Sequence, residues 1–199
     1  HLENLSDLER AINENNIDTV FHLGAQTIVG SAYKGPLATF ESNIRGSYNL
    51  LEACYRYKVN RLVVASSDKA YGESDILPYE ENMPLKGSHP YDVSKTCTDL
   101  IANTYYKTYA LPLAIARCGN VFGGGDLNWS RIIPGAIRSL LENRSPVVRT
   151  DGTFKRDYIY VKDVISAYML LAEHVHEKEV NGNAFNFGHN HPLTVLEVV

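Results

Sequence analysis

The chain has 199 residues, 44% of them hydrophobic and 21% charged, with a net charge of −4, which suits a soluble globular domain with a sizeable core. Lys and Arg are scattered rather than striped, so no nucleic acid and no anionic membrane is expected as a partner, and no apolar run approaches the ~18 residues of a membrane span. Cys54, Cys97 and Cys118 lie far apart and form no CxxC pair, so neither a zinc site nor a disulfide framework is expected, and the usage fits a reducing, cytoplasmic setting.

In chain order, "NLSDLERAINENN" reads as a helix, with Ser6 and Glu9 as a capping box and Leu5, Leu8 and Ile12 on one face. "DTVFHLGAQ" reads as a buried strand entering a loop. A long helix is expected from about Pro36 to Tyr57, with Phe40, Ile44 and Leu51 facing inward. "NRLVVASS" is a strand apolar on both faces, and a further helix starts near Tyr91. "LPLAIARCGNVFG" reads as strand then glycine loop, and "WSRIIPGAIRSLLEN" as a helix despite Pro134. "SPVVRTDGTFKRDYIYV" suggests two short extended pieces around an Asp-Gly turn. The stretch "KDVISAYMLLAEHV" is helical, with Val164, Tyr168, Leu171 and Val175 on one face. A last strand and turn in "NAFNFGHNHPLT" precede the start of a helix.

Strands alternating with long helices predict an α/β fold, a parallel sheet covered on both faces. Ligands of such sheets bind beyond the carboxyl ends of the strands. Three of those ends carry polar clusters: Gln26 and Thr27, Ser66 to Lys69, and Asn120 to Asp126. These are expected to converge on one crevice.

The run "VVASSDKAYG" ends a strand in two serines followed by Asp68 and Lys69, and "HPYDVSK" follows about twenty residues later. Tyr91 and Lys95, four apart, share one helix face. A phenol is a poor base at neutral pH, but a nearby ammonium stabilises its phenolate, and a hydroxyl such as that of Ser67 can hold a substrate alcohol against it. That combination suits removal of an alcohol proton while its carbon loses hydride. The competing reading is two surface residues at a common helical spacing. His189 and His191 form His-x-His, read as a polar turn rather than a metal site. The glycines at 123–125 read as a place where a ligand approaches backbone closely.

Taken together, "FHLGAQTIVGSAYKGPLATFESNIRGSYNLLEA", "RLVVASSDKAYG", "PYDVSK", "ARCGNVFGGGD", "RIIPGAI", "KRDYIYVKDV" and "FNFG" resemble the extended short-chain dehydrogenase/reductase family, specifically its nucleotide-sugar epimerases and dehydratases. The resemblance covers Asp18 to Val199. It implies a Rossmann-like doubly wound parallel sheet and NAD as cofactor. Residues 1–120 would be the remainder of the NAD-binding domain, and 121–199 would be substrate-binding segments interleaved with the last Rossmann strand and helix. It further implies Ala25 and Gln26 along the cofactor, Asn43 behind it and Ser66 beside its nicotinamide end. Tyr91 would be the base, assisted by Lys95, with Ser67 as the hydroxyl-bearing partner. Asn120, Arg131 and Arg156 would bind the nucleotide diphosphate, for which guanidiniums and an amide are well suited. The competing readings are a surface pair with Asp157 for Arg156 and a solvated helix face for Arg131.

A 4-epimerase needs only the tyrosine and the hydroxyl. A 4,6-dehydratase must also take a proton from carbon 5 and expel the carbon 6 hydroxyl. Two ionisable residues placed directly after Ser67 fit that demand, with Asp68 matching the family's acid. Lys69 resembles the CDP-glucose 4,6-dehydratase branch, as does "GGGDLNW"; its role is either base at carbon 5 or a group that orients substrate or polarises the enolate. A 4-epimerase or decarboxylase is the alternative enzyme, and a non-catalytic nucleotide-sugar-binding domain the alternative of another class. The family's glycine-rich phosphate loop does not occur in this sequence, and about two βα units, on the order of 60 residues, are expected to precede it. A homodimer of the full-length protein is expected.

Overall fold

The computed structural model describes all 199 residues, and they fall into two compact units. The first contains His1–Arg117 and Ala167–Asn186; the second contains Cys118–Ser166 and Phe187–Val199.

The first unit is built on a four-stranded sheet in the order β1-β2-β3-β7, formed by β1 (Thr19–His22), β2 (Arg61–Ser67), β3 (Leu113–Cys118) and β7 (Ala184–Phe187). β1 and β2 run parallel, pairing Thr19 with Arg61 through His22 with Val64. Side chains alternate across a strand, so Leu62, Val64, Leu113 and Ile115 share one face, and they join a core with Ile12, Leu50, Leu51, Ala53, Cys54 and Ala102. Those partners come from α1 (Leu5–Glu14), α4 (Gly46–Arg56) and α5 (Pro90–Tyr109). Val63, Ala114 and Ala116 on the opposite face are buried too, as a sheet covered on both sides requires. Burial holds the Cys54 thiol up at about 12, so it behaves as a small apolar residue.

Several expectations need correction. α1 begins at Leu5 with Asn4 as its N-cap, and Ser6 makes no capping box with Glu9; Glu9 instead takes an ion pair from Arg56 at 2.8 Å. β1 is an edge strand, and only His22 of its four residues is fully buried. A short helix, α2 (Val29–Lys34), precedes α3 (Pro36–Phe40). The long helix expected from Pro36 onward is interrupted by a π-helical turn at Glu41–Arg45 before α4 resumes. Leu51 faces the core as expected, but up to Ser47 the inner face is polar where an apolar one was expected. Thr39, Asn43 and Ser47 are buried, whereas Phe40 and Ile44 are only half-buried.

In the second unit, β4 (Asn120–Phe122) pairs in parallel with β6 (Tyr158–Tyr160), and β5 (Lys155–Arg156) pairs antiparallel with β8 (Leu193–Thr194). Both extended pieces thus follow the Asp151-Gly152 turn, where the Asp151 carboxylate accepts from the backbone and hydroxyl of Thr153. α6 (Ile132–Leu141) holds Pro134 in its first turn, where no helical donor is lost. α8 (Val195–Val198) starts from a true capping box between Thr194 and Glu197. The chain crosses between units within α7 (Val161–His174), and Val164, Tyr168, Leu171 and Val175 are buried as its spacing predicts.

Candidate active site

The carboxyl end of β2 delivers Ser66 and Ser67, both buried. Ser67 is still extended, and its Oγ accepts from the backbone N–H of Lys69 at 3.2 Å. That bond caps a single 3₁₀ turn, Asp68–Tyr71, which carries the two ionisable residues. The Ser67 hydroxyl donates to Asp68 Oδ1 at 3.0 Å, and Lys69 Nζ donates to Asp68 Oδ2 at 2.9 Å. Acid, base and hydroxyl form one contiguous cluster.

Gly72 closes the turn with φ +74°, and a Cβ there would stand 2.3 Å from the Lys86 carbonyl oxygen. Only glycine fits. The approach lets Lys86 and Gly87 both donate backbone N–H bonds to the Ala70 carbonyl, pinning the turn from outside.

α5 supplies the other half. Tyr91 and Lys95 lie on its first turns, both buried, and Lys95 Nζ donates to the Ala65 carbonyl of β2 at 2.8 Å. Thr96 donates to the Ala70 carbonyl at 3.0 Å. Helix and strand end are thereby joined directly, bringing Tyr91, Lys95, Ser66, Ser67, Asp68 and Lys69 into one unit. Asp92 was not singled out from sequence. It is 8% exposed, and burial raises its carboxyl above the ordinary range against the opposing pull of the His89 and Lys69 charges.

Gln26 and Asn43 bond reciprocally. The Gln26 N–H donates to Asn43 Oδ1 at 2.7 Å, and Asn43 Nδ2 donates back to the Gln26 carbonyl at 2.9 Å and to Ser94 Oγ at 2.9 Å. The π-helical turn places Asn43 for this, a common use of such a distortion. Ala25 and Gln26 remain half-exposed beyond the end of β1. Below them, His22 Nε2 meets Ser47 Oγ at 2.8 Å, and that hydroxyl donates to the Asn43 carbonyl. With its single proton so used, Ser47 must accept from His22, which assigns the Nε2–H tautomer. His22 Nδ1 and Ser66 Oγ are buried without a protein partner. An orphaned hydroxyl at a strand end is the kind of group that a bound cofactor amide would satisfy, so these residues fit a dinucleotide.

The second unit holds the remaining predicted residues. Asn120 turns its side chain toward the Asp157 carbonyl at 3.4 Å. Arg131 is the N-cap residue of α6, is exposed, and pairs with Asp126 at 3.0 Å. Arg156 is exposed, lies over the Phe154 ring and donates to the Lys155 carbonyl. The alternative pairing with Asp157 does not form, because that carboxylate accepts the backbone N–H groups of His189 and Asn190. A cavity of about 440 Å³ is lined by Arg131, Arg138, Arg144 and Arg149 together with Trp129. Three of those arginines were not foreseen, since each is an isolated charge in sequence and only folding gathers them. Arg156 does not line this cavity.

The NAD dependent epimerase/dehydratase family model matches residues 1–188, and the chain belongs to this family. It is 31% identical over 202 residues to a dTDP-D-glucose 4,6-dehydratase of Dictyostelium discoideum, covering 96% of this chain and 45% of that protein. It is 30% identical to the CDP-glucose 4,6-dehydratase of Salmonella typhimurium, covering 94% of this chain and 56% of the relative. The dTDP-glucose 4,6-dehydratase DesIV of Streptomyces venezuelae, solved as a double mutant with NAD bound, superposes with a TM-score of 0.89 at 26% identity, over 99% of this chain and 59% of that one. The chain spans about half the length of the curated relatives it matches. No helix is long and apolar enough to cross a membrane.

The His22 environment generates a pH prediction. Burial, then the Lys95 charge, holds its imidazole down from 6.5 to about 4. The unfolded state therefore binds the extra proton first, and stability contributed by neutral His22 is present above pH 6.5 and lost as pH falls toward 4. At about 1.4 kcal/mol per pH unit the full loss is on the order of 3 kcal/mol. Urea midpoints of the full-length protein should fall more steeply from pH 7 to pH 4.5 than those of His22→Gln; parallel slopes would show that His22 is not buried neutral.

Proposed function

We propose that this chain is the core of a nucleotide-sugar 4,6-dehydratase, with CDP-glucose as preferred substrate. The observation that carries the reading is the direct contact of Lys69 with Asp68, itself bonded to Ser67, on a turn fastened to the helix of Tyr91 and Lys95. An epimerase has no step that uses such a pair. The Asp-Lys sequence supports CDP-glucose over other nucleotide sugars.

NAD, when bound, would accept the hydride that leaves carbon 4 and, after water is lost, return it to carbon 6. Ala25, Gln26, Asn43, Ser66 and Lys95 would hold it, with the Ser66 hydroxyl free to bond it. Tyr91 takes the proton of the sugar 4-hydroxyl, while Ser67 and Lys95 hold that oxygen and the phenolate. Elimination then uses the ion pair. When substrate displaces water, a proton passes from Lys69 to Asp68, leaving a neutral amine and a carboxylic acid. The amine removes the carbon 5 proton and the acid protonates the departing carbon 6 hydroxyl, so water leaves and the ion pair is restored. Lys69 afterwards returns its proton to carbon 5, and exchange with solvent restores the charge states of the pair and of Tyr91. Arg131, Arg138, Arg144 and Arg149 offer the guanidiniums that a diphosphate needs, with Asn120 and Arg156 as further contacts.

A second copy is proposed to cover the aromatic face of α4 and α5, where Tyr48, Tyr55 and Tyr109 are exposed and the rings of Tyr55 and Tyr109 stand 5.0 Å apart. Sedimentation of the full-length protein should give a dimer that Tyr55→Glu with Tyr109→Glu converts to monomer; an unaltered mass would place the interface elsewhere.

Tyr91→Phe should lower turnover by ~10²–10⁴-fold, the usual worth of a positioned proton acceptor, with substrate binding within a few-fold. Wild-type rates would remove Tyr91 from the mechanism.

Asp68→Asn in the full-length protein should still oxidise carbon 4 but release little 4-keto-6-deoxy sugar. Lys69→Met should abolish deuterium incorporation at carbon 5 in heavy water. Normal product from Asp68→Asn, or an epimer as the sole wild-type product, would end the dehydratase reading.

A further inference from the structure

We infer that Arg117 and the Tyr71 hydroxyl it holds are positioning residues that set the elimination pair against the oxidation pair, an inference that rests on the dehydratase reading above. Arg117, at the end of β3, is buried and serves two elements at once. Its Nε and Nη2 donate to the two carboxylate oxygens of Asp99 at 2.8 and 2.9 Å. Asp99 lies one turn beyond Lys95 on α5. Arg117 Nη1 donates to Tyr71 Oη at 2.7 Å and to the Glu81 carbonyl at 3.0 Å. Tyr71 is the last residue of the turn that carries Asp68 and Lys69.

One guanidinium thus spans the two halves of the machinery, with Asp68 and Lys69 on the Tyr71 side and Tyr91 and Lys95 on the Asp99 side. The Tyr71 end is restrained in every direction. Its hydroxyl donates to Asn186 Oδ1 at 2.8 Å, its ring stacks on Tyr79 at 4.8 Å, and the Arg117 guanidinium carbon lies 4.9 Å from its ring centre. Asn186 in turn donates to the Tyr79 carbonyl. A hydrogen-bonded network around a buried guanidinium is stiff, and a planar fork bonded on two edges fixes orientation as well as distance. Tyr91 and Lys95 have separate restraints through Ala65, Ser94 and Asn43. The turn is held at Ala70 by Lys86, Gly87 and Thr96 and at its last residue by the Arg117 link, so loosening that link should move Asp68 and Lys69 more than Tyr91.

Replacing Arg117 leaves Asp99 buried without its charge partner and destabilises the fold strongly. The informative variant is therefore Tyr71→Phe, which keeps the ring stack and the Arg117–Asp99 pair and removes only the hydroxyl. In the full-length protein, amide exchange over residues 68–72 should quicken by about tenfold while exchange in the Ser94–Ala102 part of α5 stays at the wild-type rate. With nucleotide sugar, elimination should slow by about 10–100-fold relative to oxidation at carbon 4, KM staying within a few-fold, because small misplacements of a reacting group carry penalties of that size. Wild-type exchange over 68–72, or an unchanged ratio of elimination to oxidation, overturns the positioning role. An equal fall in both steps, with a general loss of stability, overturns it also, since that marks a merely structural contact. If the wild type makes only an epimer the dehydratase reading falls, and the exchange result then decides by itself whether the hydroxyl holds the turn.

Discussion

Everything chemical in the first unit depends on the seating of α5 against the end of β2. Lys95 reaches the Ala65 carbonyl and Thr96 reaches the Ala70 carbonyl, so one helix turn bonds the strand end on both sides of the serines. A hydrogen bond from a charged group contributes about 1.5–3 kcal/mol and a neutral one about 1. Such sums are small beside the apolar core beneath them. Their importance is directional, because they fix the rotation and height of the helix that carries Tyr91. The core of Leu51, Leu62, Leu113 and Ile115 holds the layers together without specifying that register.

The polar stripe along the segment from Thr39 to Ser47 follows from the same requirement. A helix packed on the site side of the sheet would ordinarily present apolar residues. Here it presents Thr39, Asn43 and Ser47, each bonded across to Gln26, Ser94, Thr98 or His22. Buried amides and hydroxyls cost free energy unless paired, and these are paired except at His22 Nδ1 and Ser66 Oγ. The two exceptions differ in kind. His22 lies beneath Asn43 and loses its proton as the penalty, whereas Ser66 stands at the strand end where a ligand can complete it.

What could be read from the sequence and what could not divide along physical lines. Strands β2 and β3, buried on both faces, are continuous apolar runs that period and length identify, and the four-residue spacing of Tyr91 and Lys95 states their common face. The site cluster at Ser66–Lys69 was readable because a polar run directly after a buried strand has few structural uses. The capping box at Ser6 failed because Asn4, whose side chain bonds Asp7, starts the helix two residues earlier. The π-helical turn was invisible, since what accompanies it is a tertiary bond between Asn43 and a loop seventeen residues away. The arginines gathered by the cavity, and the Arg117–Asp99–Tyr71 link, likewise depend on distances that only the folded chain defines.

Each unit, taken by itself, carries a different kind of polar group. The second unit carries guanidiniums, which bind strongly and do no acid–base work, because arginine keeps its proton throughout the relevant range. Two of those cations, Arg138 and Arg144, share the single carboxylate of Glu142, so the group is incompletely neutralised within the protein and retains attraction for an anion. The first unit keeps its titratable residues few and tied: Lys69 to Asp68, Lys95 to a carbonyl, Asp68 to Ser67. Binding groups tolerate solvent and salt at some loss of affinity. Groups that transfer protons tolerate misplacement far less, and the turn of four residues at the end of β2 is tied at Ser67, Ala70 and Tyr71.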